Sequence, residues 1–363
     1  MTSPIASITK FVRNGTAFSI TDNLSLDIHD KLPPGNYVIK INPINDSLYF
    51  DQIDSFTVTK KVYGDIAKLA NRILNTFEDR DVSTGVLLAG LKGSGKTLLS
   101  KLLSIKCSEL GYPTIVVNSP YAGDDFNLLI QSLQQPCLVL FDEFEKVYSD
   151  HKEQAKILTL FDGVFPSKKF FVITCNEAER LNVNLLNRPG RMFYAKNFTG
   201  MSLEAVREYC EDCLKDKNHI DSICKLTFLF EQFNFDMLQA LVQEMNRYNE
   251  TPHEALTLLN VKPELTNTKY EILLKIDGVQ LSENQMTDDW YGNPLLKQTF
   301  HIDYFKDIAD SDADADYVSI YFSIKDLKKV DDIDGSMLYV DQAGNSAKFT
   351  KAKPTLSYNG YVF

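Results

Sequence analysis

A stretch near residue 90 has the composition of a phosphate-binding loop. Residues 90–97 follow the pattern G-x-x-x-x-G-K-S/T in full. Glycines let such a loop wrap closely, so that its backbone N–H groups point at phosphate oxygens. Lys96 is predicted to reach the β- and γ-phosphates of a nucleotide, and the Thr97 hydroxyl to ligate Mg²⁺. The predicted nucleotide-binding residues here are Gly90, Leu91, Lys92, Gly93, Ser94, Gly95, Lys96, Thr97 and Leu98.

Two carboxylates follow a second apolar run, at 137–141. Asp142 and Glu143 come directly after this predicted buried strand. The carboxyl edge of a parallel sheet is where a P-loop protein holds its phosphates. Asp142 is therefore predicted to support the Mg²⁺ site, mainly from outside the direct ligand shell, and Glu143 to polarise the attacking water. The alternative is a pair of acidic residues that merely end a strand.

Polar side chains also follow the apolar run at 170–174. Asn176 comes just after it and is predicted to hydrogen-bond the γ-phosphate or the water; a turn-forming asparagine is the alternative. Arg188 and Arg191 bracket a Pro-Gly turn further on. Arginine supplies planar, permanently charged donors for phosphate, so both are catalytic candidates. The alternative is a surface turn with two solvated arginines.

The elements around these motifs alternate between strand and helix. Apolar runs at 85–89 and 114–117 join those at 137–141 and 170–174 as predicted strands. Because continuous apolar runs indicate strands buried on both faces, they favour a parallel α/β sheet. A helix is predicted over about 96–109, directly after the loop. Its amino terminus carries partial positive charge, which favours bound phosphate.

Taken together, these motifs resemble those of the AAA+ ATPases over about residues 62–250. By this resemblance the loop is a Walker A motif, Asp142 and Glu143 form Walker B, and Asn176 is sensor 1. Arg188 and Arg191 fall on the R-P-G-R of the second region of homology. The resemblance implies ATP and Mg²⁺ as ligands, ATP hydrolysis, and a homo-hexameric ring in which the arginines act as fingers.

Two finer resemblances concern the subfamily. Residues 174–181 with 185–191 are similar to the mitochondrial respiratory-complex assembly ATPases. Tyr63 and Gly64, followed by Arg-Ile-Leu at 72–74, resemble AAA proteins carried by large bacterial viruses. These resemblances make Tyr63 and Gly64 candidate nucleotide-binding residues, and a viral origin would imply the host cytoplasm.

The chain departs from the family pattern at several points. One extra residue precedes Arg188, and no sensor 2 arginine is evident where residues 234–236 open the last lid helix. Residues 121–123, Tyr-Ala-Gly, have the letters of a substrate-gripping pore loop. They follow the strand at 114–117 directly, so an ordinary turn is the alternative. The missing H-E-x-x-H pattern argues against a fused metalloprotease.

The predicted fold class is α/β, a P-loop AAA+ parallel-sheet core of five strands with a helical lid and small β-rich flanks. The predicted domains are a β-rich 1–60, the nucleotide-binding core 61–200, the helical lid 201–262 and a β-rich 263–363. In the lid, a helix is predicted from Phe235 to Arg247 with Asn234 as its N-cap. The C-terminal assignment follows from many Tyr, Thr, Val and Ile residues separated by turn signals.

The amino-acid composition indicates which classes of partner and which cellular compartment are favoured. Thirty-eight Lys and Arg against 49 Asp and Glu give a net charge of −11, which argues against binding dominated by nucleic-acid phosphates. No apolar run approaches the roughly 20 residues of a membrane span, and no signal peptide is visible. Six cysteines do not make a disulfide framework, so a reducing cytoplasm is predicted.

Two further patterns resemble metal sites. Cys210, Cys213, His219 and Cys224 are spaced almost as in a zinc knuckle. However, Cys210 and Cys213 also share a helical spacing with apolar residues, which favours one buried helix face. The aspartates of 310–316 begin like a calcium loop, but they lack its glycine and its final glutamate. A solvated acidic loop is the interpretation favoured here.

Three functions remain open at this stage. The first is a ring-shaped ATPase that remodels or assembles a protein partner, which suits the acidic balance and the β-rich flanks. The second is a nucleic-acid machine, such as a helicase or a clamp or helicase loader. The third is a structural ring in which ATP only maintains assembly.

Overall fold

The computed structural model describes residues 10–14, 17–21, 29–58, 61–163, 165, 167–186, 188–230, 233–261, 269–282, 285–286, 289–305, 317–331 and 335–352. The first strands, β1 (Lys10–Asn14) and β2 (Ala17–Thr21), form an antiparallel pair. The acidic run at 310–316, interpreted from the sequence as a solvated loop, lies outside the described residues.

A seven-stranded sheet forms the centre of the molecule. Its strands in chain order are β3 (Asn36–Ile41), β4 (Leu48–Ile53), β5 (Thr84–Gly90), β6 (Thr114–Val117), β7 (Cys137–Phe141), β8 (Lys169–Cys175) and β9 (Tyr194–Phe198). They lie in the order β4-β3-β6-β7-β8-β5-β9. All neighbours are parallel except β3 and β4, which run antiparallel.

The prediction of five strands is therefore wrong by two. Strands β3 and β4 belong to the segment that the sequence assigns to an N-terminal domain of 1–60. In the structure β3 pairs with β6, from Asn36 opposite Thr114 to Val38 opposite Val116. The central sheet therefore extends across the predicted boundary at residue 60.

Helices cover both faces of this sheet. They are α1 (Ile66–Asp79), α2 (Lys96–Glu109), α3 (Asp124–Ser132), α4 (Phe144–Val147) and α5 (His151–Phe161). Every residue of β7 is buried; Leu138 and Leu140 pack toward α1 and α2, and Val139 and Phe141 face the opposite core with α3 and α5. Burial on both faces explains the unbroken apolar runs that predicted these strands.

Four α-helices form the lid that follows, within the described residues 201–230 and 233–261. They are α6 (Leu203–Cys213), α7 (Ile220–Thr227), α8 (Phe235–Tyr248) and α9 (Pro252–Leu258). Asn234 caps α8 by accepting a hydrogen bond from the Met237 amide at 2.9 Å, as predicted. Cys210 is buried in the lid core, but Cys213 is exposed, so the two do not share one buried face. No cluster of potential metal ligands occurs within the described ranges.

The C-terminal part is built from antiparallel strands. They are β10 (Lys269–Ile276), β11 (Val279–Gln280), β12 (Trp290–Tyr291), β13 (Thr299–Phe305), β14 (Tyr317–Ser323), β15 (Leu327–Val330), β16 (Met337–Val340) and β17 (Ser346–Lys351). Strands β11-β10-β17-β16-β15 lie side by side, and β12 also pairs with β10. Strands β13 and β14 form a separate pair over a shared aromatic core. This β-rich flank agrees with the predicted fold class.

The C-terminal strands are attached to the lid by polar contacts. Lys351 Nζ donates to the Phe230 carbonyl at 2.9 Å, and Asn293 Nδ2 donates to the Phe228 carbonyl at 3.0 Å. None of the helices in the described part of the chain is long and apolar enough to cross a lipid bilayer.

Candidate functional site

The glycine-rich loop connects β5 to α2, as the sequence predicts. It leaves the sheet at Gly90 and enters the helix at Lys96. A side chain at Gly90 would place its Cβ 2.4 Å from the Phe198 carbonyl oxygen, so only glycine fits beside β9. Gly95 has a φ of 106°, which the absence of a Cβ permits. The loop backbone can therefore curl over the amino terminus of α2.

The remaining loop residues differ in exposure. Leu91 and Lys92 are exposed, and Leu98 is half-buried in the first turn of α2. Ser94 is buried, and its hydroxyl has no hydrogen-bond partner among the described residues. Thr97 is exposed at the start of the helix. Two hydroxyl groups of this loop thus lie close to the helix amino terminus.

Lys96 points back into the loop. Its ammonium donates to the carbonyl oxygens of Gly90 and Leu91, the latter at 2.9 Å, and to Asn176 Oδ1 at 3.1 Å. Only 6% of the residue is exposed. Burial lowers the pKa of Lys96, while the acidic groups around it act in the opposite direction. The lysine is thus held between the loop and the end of β8.

The two carboxylates lie at the carboxyl end of β7. Asp142 Oδ1 accepts a hydrogen bond from Thr174 Oγ1 at 2.7 Å, and the Glu143 amide donates to the same hydroxyl at 2.8 Å. Glu143 has a φ of 48°, so the chain turns sharply there. Its side chain accepts from Asn176 Nδ2 at 3.3 Å and from the Lys146 ammonium.

The charge beside Glu143 influences its protonation. The hydrogen bond from Lys146 holds the pKa of the Glu143 carboxyl below its ordinary value, and the Asn176 amide adds to that effect. Glu143 is therefore ionised at neutral pH. Asn176 bonds both Lys96 and Glu143, so three of the predicted site residues meet at this edge of the sheet.

The two arginines differ in ways that the sequence does not predict. Arg191 is only 8% exposed; its guanidinium binds the Asp162 carboxylate through two nitrogens and donates to the Asn184 carbonyl at 2.6 Å. The Arg188 side chain is exposed and forms no hydrogen bond or ion pair within the described residues, although the Arg188 carbonyl accepts from the Arg191 and Met192 amides. Arg191 is thus engaged within its own chain, whereas the charge of Arg188 is available.

Both arginines lie near the amino-terminal ends of the parallel strands, whereas the glycine-rich loop lies at the carboxyl-terminal ends. The Arg191 carbonyl packs against Gly85 near the start of β5, where an added Cβ would be 1.9 Å from that oxygen. The loop begins at Gly90, at the other end of the strand. Five residues of extended chain span about 16 Å. The structure therefore does not bring the arginines to the site formed by Lys96 and Glu143.

Tyr63 and Gly64 pack against the lid. The Tyr63 ring lies 5.1 Å from the Tyr209 ring and 6.2 Å from the Phe235 ring, measured between centroids. The Gly64 amide donates to Glu208 Oε2 at 3.2 Å. Phe235 in turn donates its amide to the Gly93 carbonyl at 3.3 Å. The two residues are thus connected to the glycine-rich loop through the lid.

The structure also shows site residues that the sequence reasoning missed. Thr174 joins the ends of β7 and β8, and Asp162 binds Arg191. Glu145 is buried and accepts a hydrogen bond from the Asn176 amide at 2.9 Å. The alternation of acids at 143 and 145 was a usable signal for Glu145. The candidate pore-loop residue Tyr121 is half-buried, and its hydroxyl donates to the Ile39 carbonyl at 3.0 Å, which favours an anchored turn.

Comparison with known families agrees with this arrangement. Residues 86–198 match the model described as "ATPase family associated with various cellular activities (AAA)". This chain carries an AAA ATPase domain. The match begins in β5 and ends with β9, so the AAA domain includes the glycine-rich loop, the two carboxylates, Asn176 and both arginines. An AAA domain of this kind implies ATP binding.

Curated relatives of the AAA domain are distant. Protein mac-1 of Caenorhabditis elegans is 31% identical over 127 residues, covering 30% of this chain and 15% of the relative. Peroxisomal ATPase PEX1 of Cricetulus griseus is 26% identical over 192 residues, covering 47% of this chain and 15% of the relative. The chloroplastic ATP-dependent zinc metalloprotease FTSH 6 of Arabidopsis thaliana is 31% identical over 131 residues, covering 30% and 19%.

The chain thus spans less than a fifth of the length of these relatives. The family match and the ATPase names support ATP hydrolysis as its activity. The similarities to mitochondrial assembly ATPases and to viral AAA proteins, and the cytoplasmic compartment, stay predictions.

Proposed function

We propose that this chain hydrolyses ATP to ADP and phosphate and couples hydrolysis to the remodelling or assembly of a protein partner, as a hexameric ring. The observation that supports this most directly is the meeting of Lys96, Asn176 and Glu143 at the carboxyl edge of the AAA sheet. A cation for the phosphates, an amide to sense them and an ionised carboxylate for water are the parts that phosphoryl transfer needs.

Binding of the substrate would use the loop and its lysine. The backbone N–H groups of the loop and the α2 terminus would receive the phosphates of ATP. The Lys96 ammonium would exchange its carbonyl partners for β- and γ-phosphate oxygens, which attract it more strongly. The unpartnered Ser94 hydroxyl is a further donor within the same loop.

The residues present fit a magnesium ion. Mg²⁺ prefers oxygen ligands, and the Thr97 hydroxyl, exposed at the start of α2, can supply one. Thr97 would ligate the ion directly, and Asp142, oriented by Thr174, would hold it mainly from outside the ligand shell. The ion would neutralise charge on the β- and γ-phosphates.

Glu143 would act on the attacking water. The Glu143 carboxylate accepts the water proton as the water oxygen attacks the γ-phosphorus, and the bond from phosphorus to the β,γ-bridging oxygen breaks. Asn176 holds Glu143 through its amide nitrogen and would orient the γ-phosphate with the same side chain. A carboxylate already ionised by the Lys146 charge is ready for this role.

The arginine geometry supports a site shared between copies of the chain. Because Arg188 lies at the sheet edge opposite its own loop, its exposed charge would serve the ATP of a neighbouring subunit. Arg188 lines a pocket of about 750 Å³, together with 81–83, 161–163 and 189–191 among others. The neighbour's nucleotide site would dock here. In a head-to-tail ring every subunit gives one finger and receives one.

Arg191 has a different role in this proposal. Since its guanidinium binds Asp162 and the Asn184 carbonyl, it would fix the turn that presents Arg188.

Arg191→Ala is therefore expected to lower the free energy of unfolding by about 1–3 kcal/mol, because charged hydrogen bonds are lost while Asp162 is partly rehydrated. Urea unfolding measures this, and Arg188→Ala, which removes no side-chain hydrogen bond or ion pair among the described residues, is the matched control. Equal stability of Arg191→Ala and the parent would contradict the anchoring role.

Lys96→Ala tests the ATP-binding proposal. We expect it to abolish measurable ATP binding by calorimetry, and phosphate release with it, because the β- and γ-phosphates lose their cation. Lys106→Ala, in the last turn of the same helix, is the control and should bind ATP as the parent does. Unchanged ATP affinity in Lys96→Ala would contradict the assignment of the loop.

The proposal of a protein partner rests on two supports. The relative FTSH 6 is named an ATP-dependent zinc metalloprotease, an enzyme class that acts on proteins. The net charge of −11 also disfavours nucleic-acid backbones as the partner.

A further inference from the structure

A buried carboxylate close to the candidate active site has no place in the mechanism above. Glu145 lies in the short helix α4, two residues after Glu143, and only 3% of it is exposed. Burying a carboxylate is costly unless it is hydrogen-bonded. Its Oε2 atom has no hydrogen-bond partner among the described residues. The buried Glu145 carboxylate therefore carries a desolvation cost that its remaining hydrogen bond must help to offset.

The other oxygen of Glu145 holds the end of a neighbouring strand. Oε1 accepts a hydrogen bond from the Asn176 backbone amide at 2.9 Å. Asn176 is the first residue after β8, and its amide points to α4 instead of continuing a strand ladder. Glu145 thus fixes the backbone position from which the Asn176 side chain starts.

That side chain is the one that joins Lys96 to Glu143. Its oxygen accepts from Lys96 at 3.1 Å and its nitrogen donates to Glu143 at 3.3 Å. The second distance is already beyond the ordinary range and the first is near its upper end, so a small displacement of the Asn176 backbone would weaken both bonds. Glu143 and Glu145 therefore hold Asn176 by its side chain and by its backbone, respectively.

We propose that Glu145 is a positioning residue that holds the Asn176 amide so that the Asn176 side chain stays between Lys96 and Glu143. It touches neither the phosphates nor the water. This role rests on the proposed ATPase function, because it matters only if Asn176 acts on the reacting groups.

Substitutions at 145 separate the hydrogen bond from the charge. Glu145→Gln keeps the length and an oxygen acceptor but loses the charge, whereas Glu145→Asp keeps the charge but is one methylene too short. We expect Glu145→Gln to keep kcat within about threefold of the parent and Glu145→Asp to lose about 10–100-fold, with the ATP dissociation constant unchanged in both. Asp that outperforms Gln would overturn the proposal.

Coupling to Asn176 gives a second test. Glu145→Ala and Asn176→Ala should each lower kcat, and the double variant should be little slower than Asn176→Ala alone, because both act through one side chain. Losses that multiply would overturn the proposal. Glu179→Ala, which removes an exposed carboxylate of the next turn, is the control and should turn over ATP as the parent does.

Hydrogen exchange tests the contact without any activity. In the protein without nucleotide, the Asn176 amide should exchange about tenfold faster in Glu145→Asp than in the parent or in Glu145→Gln. An equal exchange rate of the Asn176 amide in the parent, Glu145→Gln and Glu145→Asp would overturn the positioning role, even in a protein whose parent form hydrolyses ATP. Normal protection of Asn176 in a parent that releases no phosphate would instead contradict the ATPase function alone.

Discussion

Glu143→Gln is expected to bind ATP with the parent's affinity and to lower ATP turnover by about 10²–10⁴-fold. Glutamine keeps the size of glutamate and can still accept from Asn176. It cannot take the proton from water, and it loses the negative charge that the Lys146 ammonium maintains in the parent. The separation of binding from chemistry is measured by calorimetry and by phosphate release in the same preparation.

Glu179→Gln is the matched control for Glu143→Gln. It makes the same chemical change on an exposed carboxylate just beyond Asn176 and should leave turnover unchanged. Parental turnover in Glu143→Gln would mean that the water is activated elsewhere. The ATP-bound Glu143→Gln protein is also the form in which to capture the protein partner, since hydrolysis no longer releases it.

Arg188→Ala is expected to lower turnover by about 10³–10⁵-fold while it retains most of the ATP affinity. An arginine finger from a neighbouring subunit neutralises negative charge that develops in the transition state. Removal of this arginine should therefore lower kcat. Because the Arg188 side chain forms no hydrogen bond or ion pair within the described part of its own chain, its removal should leave the unfolding free energy nearly unchanged. This combination distinguishes it from Arg191.

Arg247→Ala provides the control for Arg188→Ala. Arg247 is also an exposed arginine, but it lies in the last turn of α8 and pairs only locally with Glu244. Its removal should leave turnover near the parent value. An Arg188→Ala protein that hydrolyses ATP at the parent rate would show that the finger is another residue or that none is used.

Local signals in the sequence predicted the nucleotide-binding part of the fold well. The loop pattern placed α2 at residues 96–109, as observed, and the apolar run at 137–141 coincides with β7. These elements are specified by neighbouring residues: glycines for the loop, and two-sided burial for the strand. The family match over 86–198 covers the same elements.

Contacts between residues far apart in the chain could not be predicted from local sequence patterns. The segment at 36–53 reads as a strand hairpin, and nothing local shows that β3 joins β6 more than 70 residues later. The difference between the bound Arg191 and the exposed Arg188 is likewise non-local. It depends on Asp162, which binds Arg191 and lies 29 residues before it, just after α5. Cys213 has the spacing of a buried helix residue, but α6 ends there and leaves it exposed.

Complementation between two inactive variants tests the shared site most directly. Lys96→Ala lacks a working nucleotide site but keeps Arg188, whereas Arg188→Ala keeps the site but lacks the finger. When they are mixed in equal amounts in a head-to-tail ring, about a quarter of the interfaces combine an intact site with an intact finger. Phosphate release by the mixture should therefore recover to a corresponding fraction of the parent rate, although each variant alone is inactive. A mixture that stays inactive, while mass measurement shows that mixed rings have formed, would contradict an ATPase site shared between neighbouring copies of this chain.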